Sequence, residues 1–220
     1  MIGDKLNVKE EHVRVAEHIM ELVLPGIKSS GGKFIITIAG ESGAGKSEIA
    51  SALSEQLSTK GINSIILQQD DYFVYPPKTN AGMREKNIKH VGPSEVQLTL
   101  LNRNIRDILD GNEGLEKPLV IYEEDRITGE TIQLGGIKVI IVEGTYTSLL
   151  QNVHQRIFID RTNRDTKESR KERGREDQDK YLEKILDIEH EIISSHKTRA
   201  DIIVTRDYDV RVNDAITQKN

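Results

Sequence analysis

The 220-residue chain contains no cysteine. That excludes a disulfide framework and any thiolate metal site, and it fits a reducing compartment. Aromatic side chains make up only 4% of the residues. Nowhere do arginines alternate with them in the manner of a single-strand-binding surface or a nucleic-acid motor. The net charge of −5 provides no global basic field, so nucleic acid is not the expected partner. No apolar run approaches membrane-spanning length, and the N-terminus carries no signal-like apolar segment. The expectation is a cytoplasmic protein with no membrane partner. The words N-K-x-D and D-x-x-G are also missing, and with them the guanine-reading and switch motifs of a GTPase. No repeat and no second domain stand out, so residues 1–220 are expected to form one domain, large enough for a substantial core.

The organising stretch that is present is Gly40-Glu41-Ser42-Gly43-Ala44-Gly45-Lys46-Ser47, which reads G-x-x-x-x-G-K-S. A β-branched run, Lys33 to Ala39, precedes it, and Glu48 to Leu57 follows with apolar residues at helical spacing. Strand, glycine-rich loop and helix are the context that a phosphate-binding loop requires. Glycines let the backbone bring its N–H groups onto phosphate oxygens, and the helix N-terminus adds partial positive charge. Lys46 can reach the β/γ-phosphates of a nucleotide such as ATP, and the Ser47 hydroxyl can ligate Mg²⁺.

Around this loop the chain reads as α/β with a mainly parallel sheet. Residues 7–24 have helical periodicity, with Asn7 and Glu10 as a capping signal and Pro25-Gly26 as the stop. The helix has two candidate partners, the sheet or a second subunit, and the latter would make the protein a homo-oligomer. A loop to residue 32 completes this N-terminal segment. Ile62 to Gln68 is a strand ending at Gln69-Asp70-Asp71-Tyr72-Phe73. Its two carboxylates fall where open α/β sheets place ligands, or else form a turn or helix start. Val74 to Gly92 is polar and too long for a mere connection, so a substrate-side loop or small insertion is expected. Pro93-Ser94 with Gln97 opens a helix to Gly111. Leu119 to Tyr122 and Thr131 to Leu134 suggest a small hairpin. Lys138 to Val142 is the most apolar strand, closed by Glu143, which is either a second Mg²⁺ anchor or a helix cap. After the strand Arg156 to Asp160, residues 161–175 hold seven basic side chains. They form either a solvated helix face or an arginine-rich lid over phosphates. Asp179 to His196 is a long helix, Asp201 to Val204 the last strand, and Arg206 to Asn220 a polar tail.

These islands resemble the uridine kinase/phosphoribulokinase family of P-loop kinases. Gln69-Asp70-Asp71-Tyr72-Phe73 resembles the family's Q-D-S-F-Y, Glu143-Gly144 its E-G, Glu172-Arg173-Gly174-Arg175 its E-R-G-R, and Ala200-Asp201-Ile202-Ile203 its A-D-I-I. The resemblance implies a three-layer P-loop kinase fold with a hairpin insertion and a lid. It further implies ATP–Mg²⁺-dependent phosphorylation of a hydroxyl on a small-molecule acceptor. On that basis Lys46 and the loop hold the phosphates, and Ser47, Asp70 and Glu143 organise Mg²⁺. Asp70 is the base, Arg170, Arg173 and Arg175 cover the γ-phosphate, and Arg206 borders the adenine. Asp71, Tyr72, Tyr122 and Arg126 are expected on the acceptor side. Two departures fall there: His90 to Val96 lacks the family's D-H-P-D-A-F-D opening pair, and Tyr122 to Thr128 lacks the base-reading histidine of Y-D-F-V-S-H-S-R. The acceptor therefore stays open between a nucleoside (uridine or cytidine), an anionic compound such as a sugar phosphate, pantothenate or glycerate, and, for a non-catalytic ATP-binding regulator, none.

Overall fold

In a computed structural model, residues 1–2, 6–173 and 180–213 are described. The strands are β1 (Phe34–Gly40), β2 (Ser64–Gln68), β3 (Gly114–Ile121), β4 (Arg126–Gln133), β5 (Val139–Glu143), β6 (Gln155–Ile159), β7 (Ile202–Val204) and β8 (Val210–Val212). The helices are α1 (Glu10–Ser29), α2 (Lys46–Thr59), α3 (Pro77–Lys86), α4 (Leu98–Leu109), α5 (Lys167–Arg173) and α6 (Lys180–Ile193). The main sheet runs β2-β5-β1-β6-β7-β8, parallel except for β8, while β3 and β4 form a separate antiparallel hairpin.

The parallel strands are apolar on both faces because helices cover both. In β1, Ile36 and Ile38 join α1 and α2 on one side with Ile141, Ile157 and Val204. Their neighbours Ile35 and Ala39 face the opposite layer, where Leu101, Ile105 and Ile108 of α4 meet Leu67, Ile140, Val142 and Phe158. Alternation along each strand thus divides the core into two apolar layers around one sheet.

Several elements differ from the sequence expectation. Helix α1 runs on through Pro25 to Ser29, because Val23 and Ile27 on either side of the proline are both buried in the core. Packing there outweighs the lost backbone hydrogen bond. Asn7 and Glu10 do not form its cap; the N–H of Lys9 donates to His12 Nδ1 instead. The stretch 74–92 contains α3 and a short 3₁₀ turn rather than an open loop. Pro93–Glu95 is likewise a 3₁₀ turn, so α4 starts later than its capping pattern suggested. The hairpin is longer and its turn tighter than the two apolar runs implied. Strand β8 was not legible, since it is short, polar and stable only by pairing with β7.

Asp71 joins the hairpin to the main body. Its carboxylate accepts from Lys117 Nζ at 2.7 Å and from the Val120 N–H at 3.0 Å, with both charged side chains almost wholly buried. The partner of Asp71 is therefore the protein and not an acceptor, which corrects its placement on the substrate side. Asp71 also holds the Met1 ammonium at 2.9 Å, and without Asp71 the buried Lys117 would keep only the partly exposed Glu130, 3.5 Å away, so the pair should still be costly to break. Asp71→Asn should cost about 3 kcal/mol or more, read as a lower urea midpoint. A near-normal midpoint would mean that the Lys117 pair contributes little.

Candidate active site

The loop between β1 and α2 curls onto itself. Gly45 caps α2 at φ 96°, a left-handed conformation that disfavours any residue with a Cβ. The N–H of Ala44 donates to the Glu41 carbonyl at 3.1 Å, and Lys46 Nζ donates to the same oxygen at 2.9 Å. The Glu41 side chain turns away from the loop's concave face. It is buried and accepts from His190 Nδ1 at 2.6 Å and from the Asn163 N–H. Ala44 contributes only backbone, since its methyl lies in the core.

Parallel register brings the acids together. Glu143 stands beside Ile38 of β1 and Gln68 of β2, so the P-loop and the Gln69-Asp70 turn leave the sheet on either side of it. Gly144 lets that turn approach: an ideal Cβ there would sit 2.2 Å from Gln69 Cβ, closer than any side chain allows. Gln69 Oε1 then accepts from the Tyr146 N–H at 2.7 Å, which fixes the turn. Asp70 and Asp71 lie in a 3₁₀ turn rather than in extended backbone, and there too they diverge: Asp71 points to the hairpin, while Asp70 lines a cavity.

Ser47 Oγ donates to Glu143 Oε1 at 3.0 Å. Burial, with the charge of Asp70 second, pushes the Glu143 carboxyl up to about 7, against the opposing effects of Lys46 and the Ser47 hydrogen bond. A hydroxyl and two crowded carboxylates make a hard oxygen set suited to Mg²⁺, whose charge would relieve that crowding.

Two cavities flank the loop. One, of about 200 Å³, is lined by Gly43, Gly45, Lys46 and Ser47 together with His12, Arg161 and Tyr208. The other, of about 460 Å³, is lined by Ser42, Asp70, Phe73, Lys78, Arg84, Tyr122, Tyr181 and Glu189, among others. Asp70 and Tyr122 thus reach the larger cavity. Tyr72 does not: it is fully buried in the core and donates to Asn104 Oδ1 at 3.0 Å, a correction to its acceptor-side placement. Arg126 is paired with Glu124 on the exposed hairpin end, and Arg206 is exposed beside Asp207. Both lie off the walls of these two cavities, Arg126 at the end of the hairpin turn and Arg206 within the turn after β7.

The basic run divides between its two readings. Arg170 is buried against the loop, where a Cβ on Gly43 would fall 2.7 Å from its Cγ, and Thr166 Oγ1 donates to the Ser42 carbonyl at 3.0 Å. Lys167 and Lys171 instead pair with Glu183 and Glu168 in solvent. The Arg173 side chain and Arg175 lie outside the described residues. His12, Tyr208 and Glu189 line the two cavities and His190 holds Glu41, none of them expected from the sequence, while Arg161 entered only within the basic run 161–175. Each sits far along the chain from the loop.

Residues 35–213 match the model of the Phosphoribulokinase / Uridine kinase family. A uridine kinase from Ligilactobacillus salivarius strain UCC118 is 31% identical over 185 residues, which covers 77% of this chain and 84% of that one. Among solved structures, a possible uridine kinase from Bacillus stearothermophilus superposes with a TM-score of 0.62 at 20% identity, over 86% of this chain and 97% of that one. A D-glycerate 3-kinase from Cryptococcus neoformans superposes at 0.63 and 11% identity, over 93% and 100%. At such identities the likeness is one of fold.

The raised Glu143 pKa carries a pH signature. The folded carboxyl holds its proton more tightly than the unfolded one, so the stability it contributes is full below about 4.5 and is lost as pH rises to about 7. Relative to Glu143→Gln, which cannot titrate, the wild type should lose at most about 3 kcal/mol across that window. Urea unfolding at a series of pH values measures it. A level difference across the window would mean an ordinary carboxyl.

Proposed function

The chain belongs to the Phosphoribulokinase / Uridine kinase family, and from that membership we propose that it transfers the γ-phosphoryl group of ATP, with Mg²⁺, to a hydroxyl of a nucleoside, uridine or cytidine first. That it is a phosphotransferase acting on a hydroxyl follows from the family and its uridine kinase relatives. The observation that carries the finer reading is the pair of cavities meeting at the P-loop, with Asp70 on the wall of the larger one.

Phosphoryl transfer asks a protein mainly for positioning and charge stabilisation. Bound Mg²⁺ supplies charge neutralisation on the phosphates, and Ser47, Asp70 and Glu143 are the residues that would hold it. Lys46 would exchange the Glu41 carbonyl, its present partner, for β/γ-phosphate oxygens. Asp70 would orient the acceptor hydroxyl and take its proton. Arg170, packed on Gly43, would add positive charge beside the transferring group, with Arg173 and Arg175 proposed to act from the same segment.

The charge of the larger cavity favours a neutral acceptor over an anionic one. Among the described residues, both side-chain cations on its wall, Lys78 and Arg84, are engaged. Arg84 is held between the buried carboxylate of Glu95, at 3.1 Å from Nη2, and Glu189 at 3.5 Å, while Lys78 Nζ donates to the Glu123 carbonyl at 3.0 Å. Asp70, Glu85 and Glu189 line the same space. Lys86 and Lys89 of the same stretch are exposed and off its wall. Among the described residues, a sugar phosphate or glycerate would meet acids there and cations already paired, whereas a nucleoside has hydroxyls to donate to those acids.

An acceptor panel under ATP–Mg²⁺, read by ADP release, tests the proposal. Uridine and cytidine should outperform glycerate, pantothenate and sugar phosphates. In Asp70→Asn the rate should fall by about 10²–10⁴-fold, the usual cost of losing general-base help, with nucleotide affinity nearly unchanged. An anionic acceptor leading the panel would overturn the nucleoside reading. ATP binding with no turnover on any acceptor would favour a regulator.

A further inference from the structure

Three side chains outside the family's motifs meet over the start of α2. One of them, His12, lies on α1, which precedes the matched segment of residues 35–213. His12 is buried, and its Nδ1 accepts the Lys9 N–H at 3.1 Å, so that nitrogen carries no proton. Burial also holds the ring below the ordinary histidine pKa. The neutral imidazole therefore has its proton on Nε2, where it donates to Tyr208 Oη at 3.2 Å.

Arg161 Nη1 donates to the same oxygen, and the guanidinium carbon stands 4.5 Å from the centre of the Tyr208 ring. A phenol oxygen accepts two hydrogen bonds and donates one. Both acceptor positions are taken, so the hydroxyl proton must find a third partner, and no described residue accepts it.

The placement of this tyrosine is also unusual. Tyr208 adopts φ 63°, a left-handed conformation that a bulky side chain rarely takes and that calls for an explanation where it occurs. The turn between β7 and β8 holds it there: the Tyr208 N–H donates to the Thr205 carbonyl at 3.0 Å, and the Thr205 N–H to the Asp209 carbonyl at 2.8 Å. In that position Tyr208, His12 and Arg161 wall the cavity that Gly43, Gly45, Lys46 and Ser47 also line. A Cβ built on Gly45 would lie 3.2 Å from His12 Nε2 and 3.6 Å from Tyr208 Oη. The hydroxyl thus stands directly over the turn into α2, where the helix terminus, Lys46 and Arg161 favour an anion against the opposing charges of Glu11 and Glu48 on the same wall.

We propose that the Tyr208 hydroxyl donates a hydrogen bond to a phosphate oxygen of the bound nucleoside triphosphate, with His12 and Arg161 as the positioning residues that turn its proton toward the ligand. This rests on the donor-site reading of the P-loop cavity. It gives α1 a role in nucleotide affinity in addition to its packing on α2, through one imidazole nitrogen. Arg161 adds a positive charge beside the same ligand and stays where it is by stacking on the ring.

Calorimetric titration of ATP and of inorganic tripolyphosphate, below the melting temperature of each protein, tests this. Tyr208→Phe should weaken both ligands by roughly tenfold or more, the usual loss for a hydrogen bond to a charged group. His12→Leu should produce a smaller loss of both ligands, and His12→Gln, which can present an N–H near the Nε2 position, should recover most of it. A merely structural histidine would show no such rescue. If Tyr208→Phe does not fold, the two His12 variants decide by the same measurements. Unchanged affinities would overturn the proposal. So would a loss for ATP without a loss for tripolyphosphate, since the hydroxyl would then contact the nucleoside. A wild-type protein that binds neither ligand would instead overturn the donor-site reading beneath it.

Discussion

Glu143 is a carboxylate at the end of a fully buried strand, and a charge there is costly unless something answers it. Within the protein the answer is partial. One hydroxyl, Ser47, donates to it, Lys46 lies close enough to act on it, and Asp70 opposes it. The site is thus electrostatically incomplete in the direction that a divalent cation would complete. The register of β5 between β1 and β2 makes this arrangement unavoidable, because it delivers the P-loop on one side of Glu143 and the Asp70 turn on the other. Gly144 removes the side chain that would hold them apart.

From this centre the two flanks take different characters. The smaller cavity has Lys9, Lys46 and Arg161 with the His12 imidazole around two loop glycines, and Glu11 and Glu48 also on its wall. The larger is walled by acids and by cations already engaged elsewhere. A triphosphate and a neutral polyhydroxyl acceptor suit these two environments respectively. The elements that shape the flanks are additions to the central sheet. Helix α1 and the β7–β8 turn close the first, and α3, the β3–β4 hairpin and α6 close the second. Each addition is tied down by polar contacts. Asp71 reaches Lys117 on the hairpin, and Glu41 reaches His190 on α6, so the P-loop and its surroundings are fixed to one another by buried carboxylates.

The acceptor side shows why adjacent residues with similar chemistry part ways. Asp70, Asp71 and Tyr72 are consecutive, and all three were plausible acceptor contacts by type alone. In a 3₁₀ turn they point in three directions: to the cavity, to Lys117 and to Asn104 in the core. Arg126 was expected from the likeness of its hairpin to the family's, and Arg206 from its place just after the last strand; each lies beside a solvent-exposed carboxylate, Glu124 and Asp207. Tyr208, two residues beyond Arg206, reaches the P-loop only because of its left-handed turn.

What the sequence determined by itself is local. The run of β-branched residues into Gly40, the spaced glycines and Lys46-Ser47 specify a strand, a phosphate loop and a helix, since short-range sterics and periodicity dictate all three. The apolar strands ending in Gln69-Asp70 and Glu143-Gly144 were readable for the same reason. Tertiary structure alone decided what depends on distant partners. It carried α1 through Pro25 because the core buries Val23 and Ile27 together. It also formed β8 by pairing a polar segment with β7, and it set His12 beside Tyr208 across 196 positions of chain. No local pattern encodes such meetings, because they are made by packing two elements that are strangers in sequence.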